Sequence, residues 1–277
     1  MIDIHNHILW GMDDGARTIE DSIEMCSIAY RDGIRTIVAT PHTLNGLHRN
    51  DRPSILAKVR ELNEVISNQS SVNRPGLSDQ LSVNRPKNQS LITNNELLIT
   101  NIELTILPGA DVRLCEETLH QLDGGTVTTL GDGGKCLLLE FSFHGIPHGT
   151  EEMIFQLMTR GVIPVISHPE RNLEVKQNPR RYHEMIRVGC LGQLTAMSLT
   201  GGFGSEVKRL AEKLLTKGFV HLIASDAHST DGRPPVLSDA VDAAARIVGR
   251  DEALRMVTEY PGALLEGRRP DLRLMPE

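Results

Sequence analysis

Seven short apolar runs, rich in β-branched residues, recur along the chain, and an amphipathic stretch follows most of them. The runs cover residues 2–5, 34–40, 104–109, 136–141, 162–167, 190–194 and 220–225. Helices are predicted at residues 18–31, 53–67, 150–160, 179–188, 205–217 and 237–249. Near-continuous apolar strands that alternate with helices are typical of a parallel sheet covered on both faces. Seven such units predict an α/β fold, a closed or nearly closed (β/α) barrel.

Glycines mark the ends of several predicted helices. Gly33, Gly161, Gly189 and Gly218 each stand where a helix should stop before the next strand begins. A two-domain, doubly wound sheet is the alternative architecture. No linker-like stretch divides the chain in the middle, which favours a single domain over residues 1–277.

One segment, residues 68–101, breaks the alternation of strands and helices. It is rich in Asn, Ser, Gln and Thr, and it contains short internal copies. Residues 71–75 (SVNRP) recur at 82–86, and the tetrapeptide LITN occurs twice towards the end of the segment. Tandem copies with little apolar content indicate a low-complexity insertion in a surface loop. A docking segment for a partner is the alternative interpretation.

Charge and cysteine usage narrow the class of protein. The formal net charge of -7 argues against a nucleic-acid partner, which would favour a basic face. No basic leader and no run of about 18 apolar residues occur, so neither a signal peptide nor a membrane span is predicted. The four cysteines show no regular spacing, as in reduced cytosolic proteins. We therefore expect a cytoplasmic protein.

Most of the predicted strands end in residues that can bind a metal ion. His5 and His7 close the first strand, and residues two apart on a strand point to the same side. The last predicted strand ends with the same spacing, and a carboxylate pair follows the first strand in a glycine-bearing loop. The candidate ligands, in chain order, are His5, His7, Asp14, His42, Asp111, Glu140, His168, Asp226 and His228.

The position of these residues matters more than their number. In (β/α) barrels the carboxyl ends of the strands form one rim, where active sites are built. A single His-x-His pair is equally compatible with structural histidines, but a whole series at strand ends is hard to explain by caps and packing. Buried charged groups need partners, and metal coordination would satisfy this many. The other histidines, including His48, His120, His144, His148, His183 and His221, are interpreted as surface or packing residues.

Five imidazoles and four carboxylates suit manganese, iron or zinc rather than magnesium or calcium alone. Nine ligands exceed the need of one ion, so two or three ions are expected. Such a cluster can activate water and clamp the oxygens of a phosphoryl transfer. Cysteine-based phosphatase chemistry is excluded because no Cys-x5-Arg loop is present. The residues six positions after the four cysteines are Asp32, Gln121, Ser142 and Ala196.

Several motifs together resemble a known family. They are MIDIHNHIL at 1–9, DDG at 13–15, TPH at 40–42, LEF at 139–141, HPER at 168–171, SDAH at 225–228 and DGRPP at 231–235. This ordered set resembles the PHP (polymerase and histidinol phosphatase) superfamily. Within that superfamily it is most similar to the bacterial capsule-locus tyrosine phosphatases of the CpsB/CapC type.

The resemblance implies a distorted (β/α)7 barrel with three metal ions, usually manganese. It also implies hydrolysis of phosphotyrosine by a metal-bound hydroxide. The substrate would be the tyrosine-rich tail of a bacterial tyrosine kinase that controls capsule or exopolysaccharide synthesis. Carried over by position, the first ion would be held by His5, His7, Asp111 and Asp226. The second would be held by Glu140 and His168, and the third by Asp14, His42 and His228.

Two arginines complete the implied site. The resemblance makes Arg171 the residue that binds the substrate phosphate through a bidentate guanidinium, with Arg233 as a second candidate. The chain departs from the family at Asp111, where Glu is usual, and at Thr43, where some relatives carry a basic residue.

Two other functions remain open on the sequence alone. One is a PHP phosphoesterase that acts on a small molecule, such as histidinol phosphate or a nucleotide. The other is a catalytically silent regulatory or binding module. All nine ligand positions are chemically competent, which counts against the silent module.

Overall fold

Parallel β-strands form the centre of the molecule in the computed structural model, which describes residues 1–72 and 103–273. In chain order they are β1 (Ile2–Asn6), β2 (Thr36–Ala39), β3 (His42–Thr43), β4 (Thr105–Pro108), β5 (Asp111–Arg113), β6 (Cys136–Glu140), β7 (Ile163–Ser167), β8 (Leu191–Thr195) and β9 (Leu222–Ala224). Three of them pair in the order β1-β2-β4, and six pair in the order β3-β5-β6-β7-β8-β9. Every pairing is parallel.

The two sheets continue one another through two interrupted strands. β2 and β3 are separated by Thr40 and Pro41, and β4 and β5 are separated by Gly109 and Ala110. The pairing resumes in step, because Ala39 pairs with Pro108 and His42 pairs with Asp111. At Gly109 any Cβ would lie 2.6 Å from the Val38 side chain, so the close approach of the two strands requires glycine.

The barrel closes between its first and last strands. A parallel bridge joins Asn6 to Ala227. The His7 amide donates to the Ala227 carbonyl at 2.9 Å, and the Asp226 amide donates to the His5 carbonyl at 2.8 Å. With each interrupted strand counted once, the described residues form a closed seven-stranded barrel. The expected distorted (β/α)7 architecture is confirmed.

Helices surround the barrel. They are α1 (Ile19–Arg31), α2 (Arg52–Val72), α3 (Thr118–Asp123), α4 (Thr150–Thr159), α5 (Leu173–Gln177), α6 (Arg180–Val188), α7 (Ala196–Thr200), α8 (Ser205–Thr216), α9 (Ser238–Val248), α10 (Arg250–Arg255) and α11 (Glu259–Leu265). Single 3-10 turns cover Leu130–Asp132 and Pro169–Arg171. The six predicted helices correspond to α1, α2, α4, α6, α8 and α9. Within residues 1–72 and 103–273, no helix has the length and apolar character needed to cross a bilayer.

Helix α1 shows how the local sequence sets an element boundary. Thr18 and Asp21 form a capping box, in which the Thr18 hydroxyl accepts from the Asp21 amide and the Asp21 carboxylate accepts from the Thr18 amide. This reciprocal pair satisfies backbone donors that a helix start leaves free. It fixes the beginning of α1 within a residue of the prediction.

The segment predicted as an insertion begins inside a helix. α2 continues through Val72, five residues past its predicted end at position 67. Residues 73–102 lie outside the described residues, so the surface-loop interpretation stays a prediction.

Candidate active site

The predicted ligands lie together at the carboxyl-terminal rim of the barrel. His5 lies near the end of β1, and His7 and Asp14 follow that strand. His42 and Asp111 are the first residues of β3 and β5, and Glu140 is the last residue of β6. His168 follows β7, and Asp226 and His228 follow β9. Each interruption lies between the main part of a strand and its final segment, so His42 and Asp111 stand at the rim. Residues from opposite ends of the chain therefore face one another.

The innermost group is formed by His5, His7 and Asp111. One ligand atom from each lies within 4.8 Å of the others. His5 Nε2 is 3.2 Å from His7 Nε2 and 3.7 Å from Asp111 Oδ2. All three side chains are buried. Two imidazole nitrogens and one carboxylate oxygen thus point at a common centre that is shielded from water.

A second group, His42, Asp111 and Glu140, contains polar atoms that lack partners. His42 Nδ1, Asp111 Oδ2 and Glu140 Oε2 are buried, and none makes a hydrogen bond in the structure. His42 Nδ1 lies 3.2 Å from Asp111 Oδ2 and 3.8 Å from Glu140 Oε2. Three buried polar atoms that lack hydrogen bonds and lie so close together would be costly, and a shared cation would satisfy all of them. The residues present therefore fit a metal ion.

The outermost group is the most open to solvent. Asp14 Oδ1 lies 3.6 Å from His42 Nε2 and 3.5 Å from His228 Nε2, and His7 reaches the same group. The Asp14 side chain is 61% exposed, whereas that of His228 is 9% exposed. A cation here would border the solvent-facing cleft.

The two remaining candidates stand at the edge of these groups. His168 Nε2 lies 3.7 Å from Glu140 Oε1. The His168 imidazole is tilted relative to that of His5, and the two ring centroids are 5.7 Å apart. Asp226 Oδ1 lies 3.4 Å from His5 Nε2 and 3.5 Å from His7 Nε2. Asp226 Oδ1 therefore joins His5 Nε2 and His7 Nε2, which are 3.2 Å apart, in a group of mutually close ligand atoms. His168 approaches the carboxylate of Glu140.

Two residues that sequence reasoning did not assign hold the inner histidines in place. His7 Nδ1 contacts Asp13 Oδ2 at 2.6 Å, and His5 Nδ1 contacts Gln193 Oε1 at 2.9 Å. Asp13 also accepts from the backbone amide of His42 at 2.9 Å. When Nδ1 donates to such a partner, Nε2 is left free to bind a cation. Asp13 was visible as half of the Asp13–Asp14 pair, whereas nothing in the sequence marks Gln193 on its apolar strand.

Arg171 and Arg233 meet at one carboxylate. Arg171 Nη1 lies 2.5 Å and Arg233 Nη2 lies 2.6 Å from Asp226 Oδ2. Both guanidinium groups also pack over the Phe203 ring, at 4.6 and 5.6 Å from its centroid. A cleft of about 270 Å³ is lined by both arginines and by the outer ligands. Two fixed guanidinium groups at the mouth of a metal-type cluster favour an anionic ligand such as phosphate.

A third arginine reaches the cluster without having been predicted. Arg113 Nη2 lies 2.9 Å from Glu140 Oε2, a contact that has the distance of an ion pair but not the geometry of a hydrogen bond. Arg113 ends β5, two residues after Asp111, and it lines the same cleft. The pattern of strand ends did not indicate Arg113, because that pattern consists of metal-binding residues and arginine is not one of them.

The protonation of the cluster follows from burial and from neighbouring charges. Burial and the charge of Asp111 raise the pKa of Glu140 to about 7. Burial and Arg171 lower the pKa of His168 to about 3, and burial and His7 lower that of His228 to about 4. Both imidazoles are therefore neutral near pH 7, which is the form that binds a metal ion.

For the pKa of His7, the effect of a neighbouring opposite charge outweighs the effect of burial. Burial alone would lower the pKa of His7, but the adjacent Asp13 carboxylate raises it to about 10. The pKa of Asp13 is correspondingly held below its ordinary value by His7. The contact between Asp13 and His7 is thus charge-assisted, and it fixes the ring more firmly than a neutral hydrogen bond would. A cation bound at His7 Nε2 would displace the proton from that nitrogen.

Two candidate ligands have an unusual backbone conformation. His168 has φ of 33° and Asp226 has φ of 52°, in the left-handed region that side chains other than glycine rarely adopt. Only Leu44 and Asp132 share this property among the non-glycine residues that the structure describes. Each such residue costs about 1–3 kcal/mol, and these conformations concentrate at functional sites.

Comparison with known proteins agrees with the geometry of the site. The family model described as "Capsular polysaccharide synthesis, CpsB/CapC" matches residues 1–74 and 77–266. The matched residues include most of 68–101, the segment predicted from its composition to be a low-complexity insertion. The tyrosine-protein phosphatase YwqE of Bacillus subtilis is 36% identical over 268 residues, which cover 97% of this chain and 92% of the relative. The tyrosine-protein phosphatase CpsB of Streptococcus pneumoniae is 28% identical over 270 residues, which cover 96% of this chain and 98% of the relative.

A solved structure extends the similarity to three dimensions. It comes from work on YwqE of Bacillus subtilis and CpsB of Streptococcus pneumoniae, described there as unique metal-dependent tyrosine phosphatases. The TM-score is 0.82 at 32% sequence identity, and the alignment covers 99% of this chain and 100% of the other.

Proposed function

The chain belongs to the CpsB/CapC family of capsular polysaccharide synthesis, and we propose on that premise that it is a metal-dependent protein-tyrosine phosphatase. The resemblance drawn from the motifs is thereby confirmed. The observation that carries the proposal is a set of three buried ligand atoms without hydrogen bonds, on His42, Asp111 and Glu140, beside two arginines that share one carboxylate. A cation-binding cluster next to fixed guanidinium groups suits hydrolysis of a phosphate ester.

The metal is proposed to be manganese, in two or three ions, with iron or zinc as alternatives. His5, His7, Asp111 and Asp226 would contribute to one ion. A second ion would be held by Glu140 and His168, with His42 and Asp111 close enough to contribute. Asp14, His42 and His228, with His7, would hold an outer ion. The imidazole share of this set favours borderline metals over magnesium. When bound, the ions would supply an activated water and positive charge for the phosphoryl oxygens.

The chain's own residues would bind and orient the substrate. Asp226 bridges Arg171 and Arg233, and its single negative charge offsets one of their two positive charges. A phosphate group entering the cleft would offer them further oxygens in the same geometry, so little reorganisation is needed. Asp13 and Gln193 would keep the inner imidazoles turned towards the centre throughout.

Thiolate chemistry does not suit this cleft, because none of the described residues that line it is a cysteine. Burial raises the pKa of Cys26 and Cys190 to about 12 and also raises that of Cys136. Cys115, which is partly exposed, lies at the neighbouring groove. All four thiols are therefore proposed to have no part in turnover.

The proposed substrate is a tyrosine-phosphorylated protein, specifically the tail of a bacterial tyrosine kinase that acts in capsule or exopolysaccharide synthesis. Family membership and the similarity to named tyrosine phosphatases support this choice. The free cysteines support a cytoplasmic location.

Turnover of a phosphotyrosine peptide and of histidinol phosphate, measured side by side, tests the function. We expect hydrolysis of the peptide, complete loss of it in excess chelator, and better recovery with manganese than with magnesium. Cys115→Ser serves as the matched control and should retain full activity. Full activity in excess chelator would refute the metal-dependent mechanism. A clear preference for histidinol phosphate would refute the assignment as a tyrosine phosphatase.

A further inference from the structure

An exposed aromatic side chain stands at the entrance of the cleft. Phe143 lies three residues after the end of β6, and it is 49% exposed. Its ring is nearly parallel to the His168 imidazole, at 17°, with the centroids 6.3 Å apart. The guanidinium carbon of Arg171 lies 5.2 Å from the Phe143 ring centroid. A large apolar surface is thus held beside the arginine that faces the phosphate site.

A second apolar side chain lines the same cleft. Leu47, in the loop after β3, is 85% exposed. Five large hydrophobic side chains are exposed in the described part of the chain, and these two line the cleft. The other three, Phe155, Leu173 and Val188, lie outside it. Apolar groups grouped at a polar, arginine-lined opening indicate that the ligand has an apolar part next to its phosphate.

We propose that Phe143 determines specificity by stacking against the aryl ring of phosphotyrosine, with Leu47 as a second apolar contact. The inference rests on the proposed function, since it places the phosphate on Arg171. In phosphotyrosine one oxygen joins the ring to phosphorus, so a phosphate bound by Arg171 carries its ring into the neighbourhood of Phe143. Aromatic rings interact at centroid separations of about 4.5–7 Å, a range that this neighbourhood allows.

This role predicts selectivity for aryl over alkyl phosphate esters. A serine or threonine phosphate ester has no ring to place against Phe143 and would leave its apolar face in water. A purely structural role, in which Phe143 only supports His168 and Arg171, predicts something else. Its removal would then disturb phosphate binding equally for both kinds of ester.

The test compares two phosphonates as inhibitors of the manganese-loaded enzyme. Benzylphosphonate carries a ring one atom from phosphorus, as phosphotyrosine does, and methylphosphonate carries none. For Phe143→Ala we expect the inhibition constant of benzylphosphonate to rise about 3- to 10-fold. That of methylphosphonate should change less than about twofold, and Phe143→Leu should lie between the wild type and Phe143→Ala.

Phe155→Ala is the matched control, because Phe155 is exposed on α4 and lies outside the cleft. Both inhibition constants should be unchanged in this variant. Equal rises for both phosphonates in Phe143→Ala would overturn the proposal, and so would an unchanged constant for benzylphosphonate. The wild-type turnover of phosphotyrosine peptide separates the two claims. If the wild type hydrolyses the peptide and the two phosphonates still respond alike, only the role of Phe143 fails.

Discussion

The inner and outer sides of the ligand cluster differ in how they are supported. On the inner side, His5 and Asp111 are fully buried, and Gln193 holds the His5 ring. On the outer side, Asp14 is 61% exposed and lies nearest to the imidazoles of His42 and His228. Ions on the inner side would be held by charges that water cannot screen, whereas an outer ion would compete with solvent. The comparison indicates a tightly held inner centre and an exchangeable outer one.

The difference also assigns separate tasks to the two sides. The buried carboxylate of Asp111, whose Oδ2 accepts no hydrogen bond, would gain from a cation that offsets its desolvation. An exposed carboxylate such as that of Asp14 is already hydrated, so it gains less from a metal ion. We therefore expect metal binding on the inner side to stabilise the fold, whereas the outer side adjoins the cleft proposed to receive the substrate.

The largest effect is expected at Asp111, which both buried groups share. Asp111→Ala should reduce turnover to background and lower the metal content of the purified protein, because neighbouring cations would lose an anion that offsets their repulsion. Asp111→Asn should lose nearly as much, since a neutral amide cannot balance charge. Metal content by elemental analysis and peptide turnover measure both effects. Unchanged metal content and rate in Asp111→Ala would show that Asp111 is not a ligand.

Asp111→Glu sharpens the same comparison by restoring the residue usual in the family. The short strand β5 places the carboxylate at a separation suited to Asp, with Oδ2 3.2 Å from His42 Nδ1. A longer side chain should crowd the centre and reduce turnover modestly, with metal content preserved. A rate above that of the wild type would mean that the strand has not adjusted to the shorter residue.

A smaller effect is expected at Asp13, which supports the inner side without facing the cleft. Asp13→Asn removes the charge that holds His7, and it should lower activity or metal affinity about 10- to 100-fold. Asp239→Asn, at an exposed carboxylate on α9, is the control and should change neither. Titration of the metal-free protein with manganese gives the affinity. An Asp13→Asn protein with wild-type affinity and rate would exclude an orienting role.

The smallest effect is expected at Asp14, on the outer side. Asp14→Ala should lower turnover by about tenfold at limiting manganese, and excess manganese should restore most of the loss, because solvent can replace an exposed ligand. The dependence of rate on manganese concentration measures this. If the loss persists at saturating manganese, the outer side is as essential as the inner side and the comparison fails.

The sequence predicted the barrel and the rim because both depend on regular spacing. Apolar runs alternate with helices, and His or carboxylate residues recur where runs end, so no contact needed to be known in advance. The interruptions at Pro41 and Gly109 were not predicted, since only the pairing with neighbouring strands shows that β3 and β5 resume in step. The short helices α3, α5, α7, α10 and α11 were missed because each is too brief to show a helical period.

Roles that depend on the direction in which a side chain points could not be predicted from the sequence. The sequence shows Asp13 and Asp14 as equivalent neighbours, but only the fold turns Asp13 inward to His7 and leaves Asp14 facing solvent. Gln193 lies on a strand that is buried throughout, where its contact with His5 is invisible until β1 and β8 face each other. The role of Phe143 was not predicted either, because only the three-dimensional structure shows that its side chain is exposed.

The left-handed backbone of His168 has a consequence for the history of related chains. Asn tolerates this conformation better than His does and is smaller, so a change to Asn relieves the backbone while removing a proposed imidazole ligand. In a duplicated copy released from selection for activity, drift should accept that change early, because it favours folding and costs only a lost function. Asn or Gly at this position would therefore mark lineages that kept the barrel and became pseudoenzymes.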